Sequence, residues 1–78
     1  MNTYTLPIYP NAGYRIHWGL LRDALGQLDI GDKLILVTSD WPIVNSARKA
    51  VYNFAWQHGF SFATAKEGTK TLVIERTE

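Results

Sequence analysis

Two histidines, seven carboxylates and three tryptophans are the residues with which this 78-residue chain could do chemistry or dock a partner. His17 stands beside Trp18, and His58 immediately precedes Gly59. No His-x-x-x-His or His-x-x-Glu pair sets two metal ligands on one helix face. Without cysteine the chain has neither thiolate ligands nor disulfides, a composition that fits a reducing compartment. His58 closes a helical stretch, where an imidazolium complements the helix dipole, so its reading is structural. Asp23, Asp29, Asp32, Asp40, Glu67, Glu75 and Glu78 are dispersed. Asp29 and Asp32 bracket Gly31 as turn formers, and nothing brings two carboxyls into one cleft as acid and base. Ser39 and Ser46 lack a histidine at motif spacing, and the six glycines stand singly rather than as a phosphate cradle. The expectation is a protein that is not an enzyme and holds no metal or other cofactor.

Binding remains. In Trp41 to Gly59, Val44, Ala47, Val51, Phe54 and Ala55 recur at the spacing of one helix face. Arg48, Tyr52 and Trp56 fall four apart on a neighbouring face, turning away from that stripe. These residue types dominate protein interfaces, because they cover large areas at low entropic cost. Arg48 and Tyr52 are spaced for a cation–π pair, and Tyr52 and Trp56 for an aromatic ridge. The competing reading folds Trp56 over the sheet edge or under the N-terminal arm, since tryptophan is mostly buried. Trp18 and Trp41 read as core or staple residues. A second constellation is basic: Arg48, Lys49, Lys66, Lys70 and Arg76, a set with which a helix and a hairpin could clamp a duplex. A net charge of only +1, with no basic run, weighs against nucleic acid.

The elements that must position these residues follow from pattern. Residues 1–14, with Pro7 and Pro10, read as an N-terminal arm or an edge strand over Tyr4-Thr5-Leu6; proline confines such a strand to an edge. Residues 15–78 read as a single α+β domain. Ile16 to Leu28 predicts a helix burying Trp18, Leu21, Leu25 and Leu28, with Leu20 and Ala24 widening the stripe. Lys33 to Thr38 is apolar on both faces, a strand under helices on one side and shielded by the arm on the other. The second helix starts between Trp41 and Ser46 and stops at Gly59. Phe60 to Ala65 and Thr71 to Arg76 alternate as the strands of a hairpin, leaving Thr77-Glu78 frayed. The order (β)αβαββ predicts a two-layer sandwich, two helices on one face of a three- or four-stranded sheet.

From Leu21 to Arg76 the chain resembles the TusA-like sulfur carriers, small βαβαββ sandwiches. Leu25, Leu28, Gly31-Asp32, Leu34, Val37, Asp40, the helix closed by Gly59 and the final hairpin carry the likeness. That family works through a cysteine and proline at the start of its first helix. Ile16-His17-Trp18 stands there instead, so the resemblance implies architecture without sulfur transfer. Asn45, Arg48, Val51, Gly59-Phe60-Ser61-Phe62-Ala63-Thr64, Gly68, Val73 and Arg76, with Leu25-x-x-Leu28-x-x-Gly31-Asp32 upstream, also resemble small phage-encoded domains of unassigned function. Ala65-Lys66 replaces that group's Thr-Arg and Glu75-Arg76 its Trp-Arg, which removes an arginine and a stacking aromatic from any shared nucleic-acid role.

The expectation is therefore a phage-type accessory or regulatory protein. It would bind a host protein, as inhibitor or modulator, through Arg48, Tyr52 and Trp56. The alternative is a DNA- or RNA-binding regulator using the basic set, and the same ridge is open to a symmetric homodimer. With no apolar run long enough for a bilayer and no signal peptide, the expected location is cytoplasmic, in the host cell if phage-encoded.

Overall fold

A computed structural model of the chain describes residues 2–9, 18–39 and 41–78. Six elements follow in order: β1 (Thr3–Pro7), α1 (Gly19–Gln27), β2 (Lys33–Val37), α2 (Trp41–His58), β3 (Phe62–Glu67) and β4 (Thr71–Arg76). They form the expected α+β sandwich, with a four-stranded mixed sheet in the order β1-β2-β4-β3. β1 runs parallel to β2, while β2 with β4 and β4 with β3 are antiparallel.

Alternation sorts the strands. Leu34, Leu36, Leu72, Ile74 and Phe62 turn one face toward the helices and are buried there with Leu21 and Leu25 of α1 and Val44, Ala47, Val51 and Phe54 of α2. α2 ends as its glycine predicts. Gly59 takes φ +70°, and the Phe60 N–H reaches back to the Ala55 carbonyl at 3.0 Å, closing the helix as a Schellman motif.

Asp32 clasps the first strand. Its carboxylate, in a residue only 2% exposed, accepts the Asn2 N–H at 2.8 Å and the Asp29 N–H at 3.0 Å. Those two main-chain donors favour the ionised form and hold the carboxyl below its ordinary range. In the unfolded chain it titrates near about 3.9. Above that value the clasp contributes fully. As pH falls through the lower folded value the unfolded chain binds the extra proton and the contribution is lost. Urea midpoints from about pH 7 to pH 3 should fall more steeply for the wild type than for Asp32→Asn. Equal slopes would show that the clasp adds nothing.

The structure departs from the sequence reading at several points. β1 is an edge strand lying in the plane of the sheet, so Thr3–Pro7 does not cover the outer face of β2. Ile35 and Val37 are half-buried there, beside Thr5, Val73 and a Lys33–Glu75 ion pair at 3.7 Å. Leu20 is 56% exposed: it turns away from the α1 face on which Leu21 and Leu25 are fully buried, so it does not widen that stripe. Trp41 is 41% exposed, roofed by Lys66 rather than buried as a staple. Lys66 itself lies on β3, which runs to Glu67, past the end expected at Ala65. The tail is paired: the Thr77 N–H donates to the Ser61 carbonyl at 2.8 Å, and the Glu78 carbonyl accepts Arg76 Nε at 3.0 Å. Residues 10–17, with Pro10, Ile16 and His17, and Asp40 lie outside the described residues.

Candidate functional site

α2 divides its surface between fold and exposure. Val44, Ala47, Val51, Phe54 and Ala55 are buried, while Arg48, Tyr52 and Trp56 are exposed on the side that overhangs β3. Trp56 is 87% exposed and Tyr52 45%. The Tyr52 hydroxyl lies 3.0 Å from Thr64 Oγ1, which ties the middle of the ridge to the middle of the edge strand. The Arg48 guanidinium sits 5.7 Å from the Tyr52 ring centroid, at the outer limit of a cation–π contact. The hydrogen bond to Thr64, and after it Arg48, draw the phenol below its ordinary pKa. Tyr52 and Trp56 make no ring contact with each other. Instead they border a shallow depression of about 330 Å³ floored by Ala55, Phe60 and Phe62.

That floor belongs to an aromatic cluster. Phe54 stacks on His58 at 4.2 Å and tilts against Phe60 at 5.8 Å and Phe62 at 6.2 Å. His58 thus caps the end of the core. Among the described residues no group of three His, Cys, Asp or Glu side chains is arranged to hold a metal ion. No helix among them is long and apolar enough to cross a membrane.

Below the ridge runs an open strand. β3 is the edge of the sheet beside β4. The Ser61 carbonyl accepts the Thr77 N–H, so by antiparallel alternation the odd-numbered residues of β3 bond β4. The N–H and C=O groups of Phe62, Thr64 and Lys66 therefore point away from the sheet. Sequence reading finds the ridge but misses this edge, because strand order is not written in a strand's own alternation.

The five basic residues are not brought onto one surface. Lys49 lines a polar groove between α1 and α2 with Arg22 and Asn53. Lys66 Nζ lies 3.7 Å from the Trp41 ring centroid and donates to Asn45 Oδ1 at 3.0 Å. Arg76, at the other end of the hairpin, lies 3.7 Å over the Phe60 ring, and its Nη1 donates to the Leu28 carbonyl at 2.7 Å. Arg48 belongs to the ridge, and Lys70 is exposed at the turn into β4.

The fold and this face describe a small α+β domain presenting an aromatic helix ridge beside an open strand. No protein-family model matches the chain, and neither a curated protein nor a solved structure shows significant similarity to it.

Proposed function

We propose that the protein is not an enzyme and acts by binding another protein through the α2–β3 face, with Arg48, Tyr52 and Trp56 as anchors. The exposure of Trp56 carries this reading: a large apolar ring left 87% in solvent beside a half-exposed tyrosine contributes little to the fold. The target proposed is a protein of the cell that makes the chain, a host protein if the chain is phage-encoded, which it inhibits or modulates in the cytoplasm. Two of the five basic residues are held against Trp41 and Phe60, which favours a protein over a nucleic acid.

Capture from lysate, comparing the wild type with Trp56→Ala and Arg48→Glu, tests the proposal. The variants should fold as the wild type does and lose the captured protein by tenfold or more, a loss on the order of 1.4 kcal/mol. Equal capture by all three overturns it. So does binding of duplex or single-stranded nucleic acid that weakens steeply with salt.

A further inference from the structure

We propose that the partner this face is shaped for is a second copy of the chain, joined through β3 about a two-fold axis at Thr64. The proposal rests on the reading of the face as a protein interface and names its occupant. β3 is a poorly guarded edge. It has no proline, whereas β1, the opposite edge, ends in Pro7. Its one lysine, Lys66, turns its ammonium back over the Trp41 ring instead of out along the strand.

The register follows from which main-chain groups are open. Antiparallel self-pairing centred on Thr64 sets Thr64 opposite the second copy's Thr64, and Phe62 opposite the second copy's Lys66. These are the residues whose N–H and C=O point outward, so each such pair exchanges both of its main-chain hydrogen bonds. Moving the centre to Ala63 or Ala65 drives one outward residue past the end of the opposing strand. In the Thr64 register Lys66 meets Phe62 and Glu67 meets Ser61, so no like charges face each other.

The ridge obeys the same axis. Tyr52 is bonded to Thr64, so a two-fold at Thr64 passes close to Tyr52. α2 runs antiparallel to β3, its Asn45 beside Lys66 and its Phe54 beside Phe62. Strands about 4.8 Å apart would bring the two overlying α2 helices side by side, on the order of the 8–10 Å at which helices pack. They would run antiparallel with Tyr52 nearest the axis. Arg48 and Trp56, one turn to either side, then meet across it: each guanidinium faces the second copy's exposed indole. Read in opposite directions, Arg48, Tyr52 and Trp56 are their own complement. A protein target reaching the same ridge must displace the second copy.

Sedimentation of the purified chain up to about 1 mM should show a reversible dimer. Arg48→Ala and Trp56→Ala should each weaken it about tenfold or more. The double variant should lose less than the product of the two. Arg48 and Trp56 lie about 12 Å apart along one helix, so such coupling arises only between copies. Because the chain lacks cysteine, Thr64→Cys supplies its only thiol. Opposed Cα atoms of a bonded pair lie about 5.5 Å apart, within disulfide range, so it should crosslink under mild oxidation while Thr69→Cys at the hairpin tip does not.

A chain monomeric throughout overturns the dimer. So does a dimer indifferent to Arg48 and Trp56, or one in which Thr64→Cys stays uncrosslinked. A monomer that still loses its captured protein on Trp56→Ala overturns only the two-fold and leaves the binding face standing. A monomer whose capture is unchanged removes both.

Discussion

Leu36→Ala is expected to remove about 2–5 kcal/mol of folding stability, and Trp56→Ala less than about 0.5 kcal/mol. Leu36 is fully buried in β2, between β1 and β4 and beneath the helix layer, where close neighbours cannot collapse into the space a truncation leaves. Against the roughly 4–12 kcal/mol expected of a chain this long, that loss puts the variant near unfolding. Trp56 is the larger side chain but keeps most of its surface in water, so truncation returns little apolar area to solvent. Urea denaturation of the two variants beside the wild type measures the contrast. A loss above about 2 kcal/mol for Trp56→Ala would place the indole in the core and remove it as a binding anchor.

The second large effect is expected at Arg76. Arg76→Ala should cost about 2–3 kcal/mol, because one guanidinium does three jobs. It covers the Phe60 ring at 3.7 Å, donates through Nη1 to the Leu28 carbonyl at the end of α1, and donates through Nε to the Glu78 carbonyl. Truncation leaves the Leu28 carbonyl without a charged donor and uncovers an aromatic face. Arg76→Lys should recover less than half of the loss, since a single ammonium cannot stack flat and donate in two directions. Melting curves of the three proteins decide it. A change within about 0.5 kcal/mol for Arg76→Ala would return Arg76 to the free cations available to a phosphate backbone.

How much of this is legible in the sequence depends on whether the determining forces are local. α2 is legible in its apolar stripe and its stop at Gly59, because both act within a few residues, while its start stays open between Trp41 and Ser46 until the fold places it at Trp41. The hairpin is legible for the same reason, though its first strand runs Phe62–Glu67 rather than Phe60 to Ala65. The arm stayed undecided because Tyr4-Thr5-Leu6 is too short for periodicity to decide, and its pairing with Leu34 to Leu36 is settled thirty residues away. The role of Arg76 could not be read at all, since its Leu28 and Phe60 partners are brought to it only by the sheet. At the site, periodicity set Arg48, Tyr52 and Trp56 on one face, but whether that face met solvent depended on β3 lying at the border of the sheet.

β4, the last strand in the sequence, lies in the interior of the sheet, and β3 joins the remaining strands only across it. On a ribosome adding about 5–20 residues per second, β1, β2 and both helices emerge before β4 does. Until Arg76 is out, β2 and β3 are two borders with no shared neighbour, and the helices have half a floor to settle on. Assembly of the sheet is thereby deferred until β4 has been made and becomes nearly all-or-none. A chain interrupted within residues 71–76 lacks the one strand that ties the hairpin and the α2 ridge to β1 and β2.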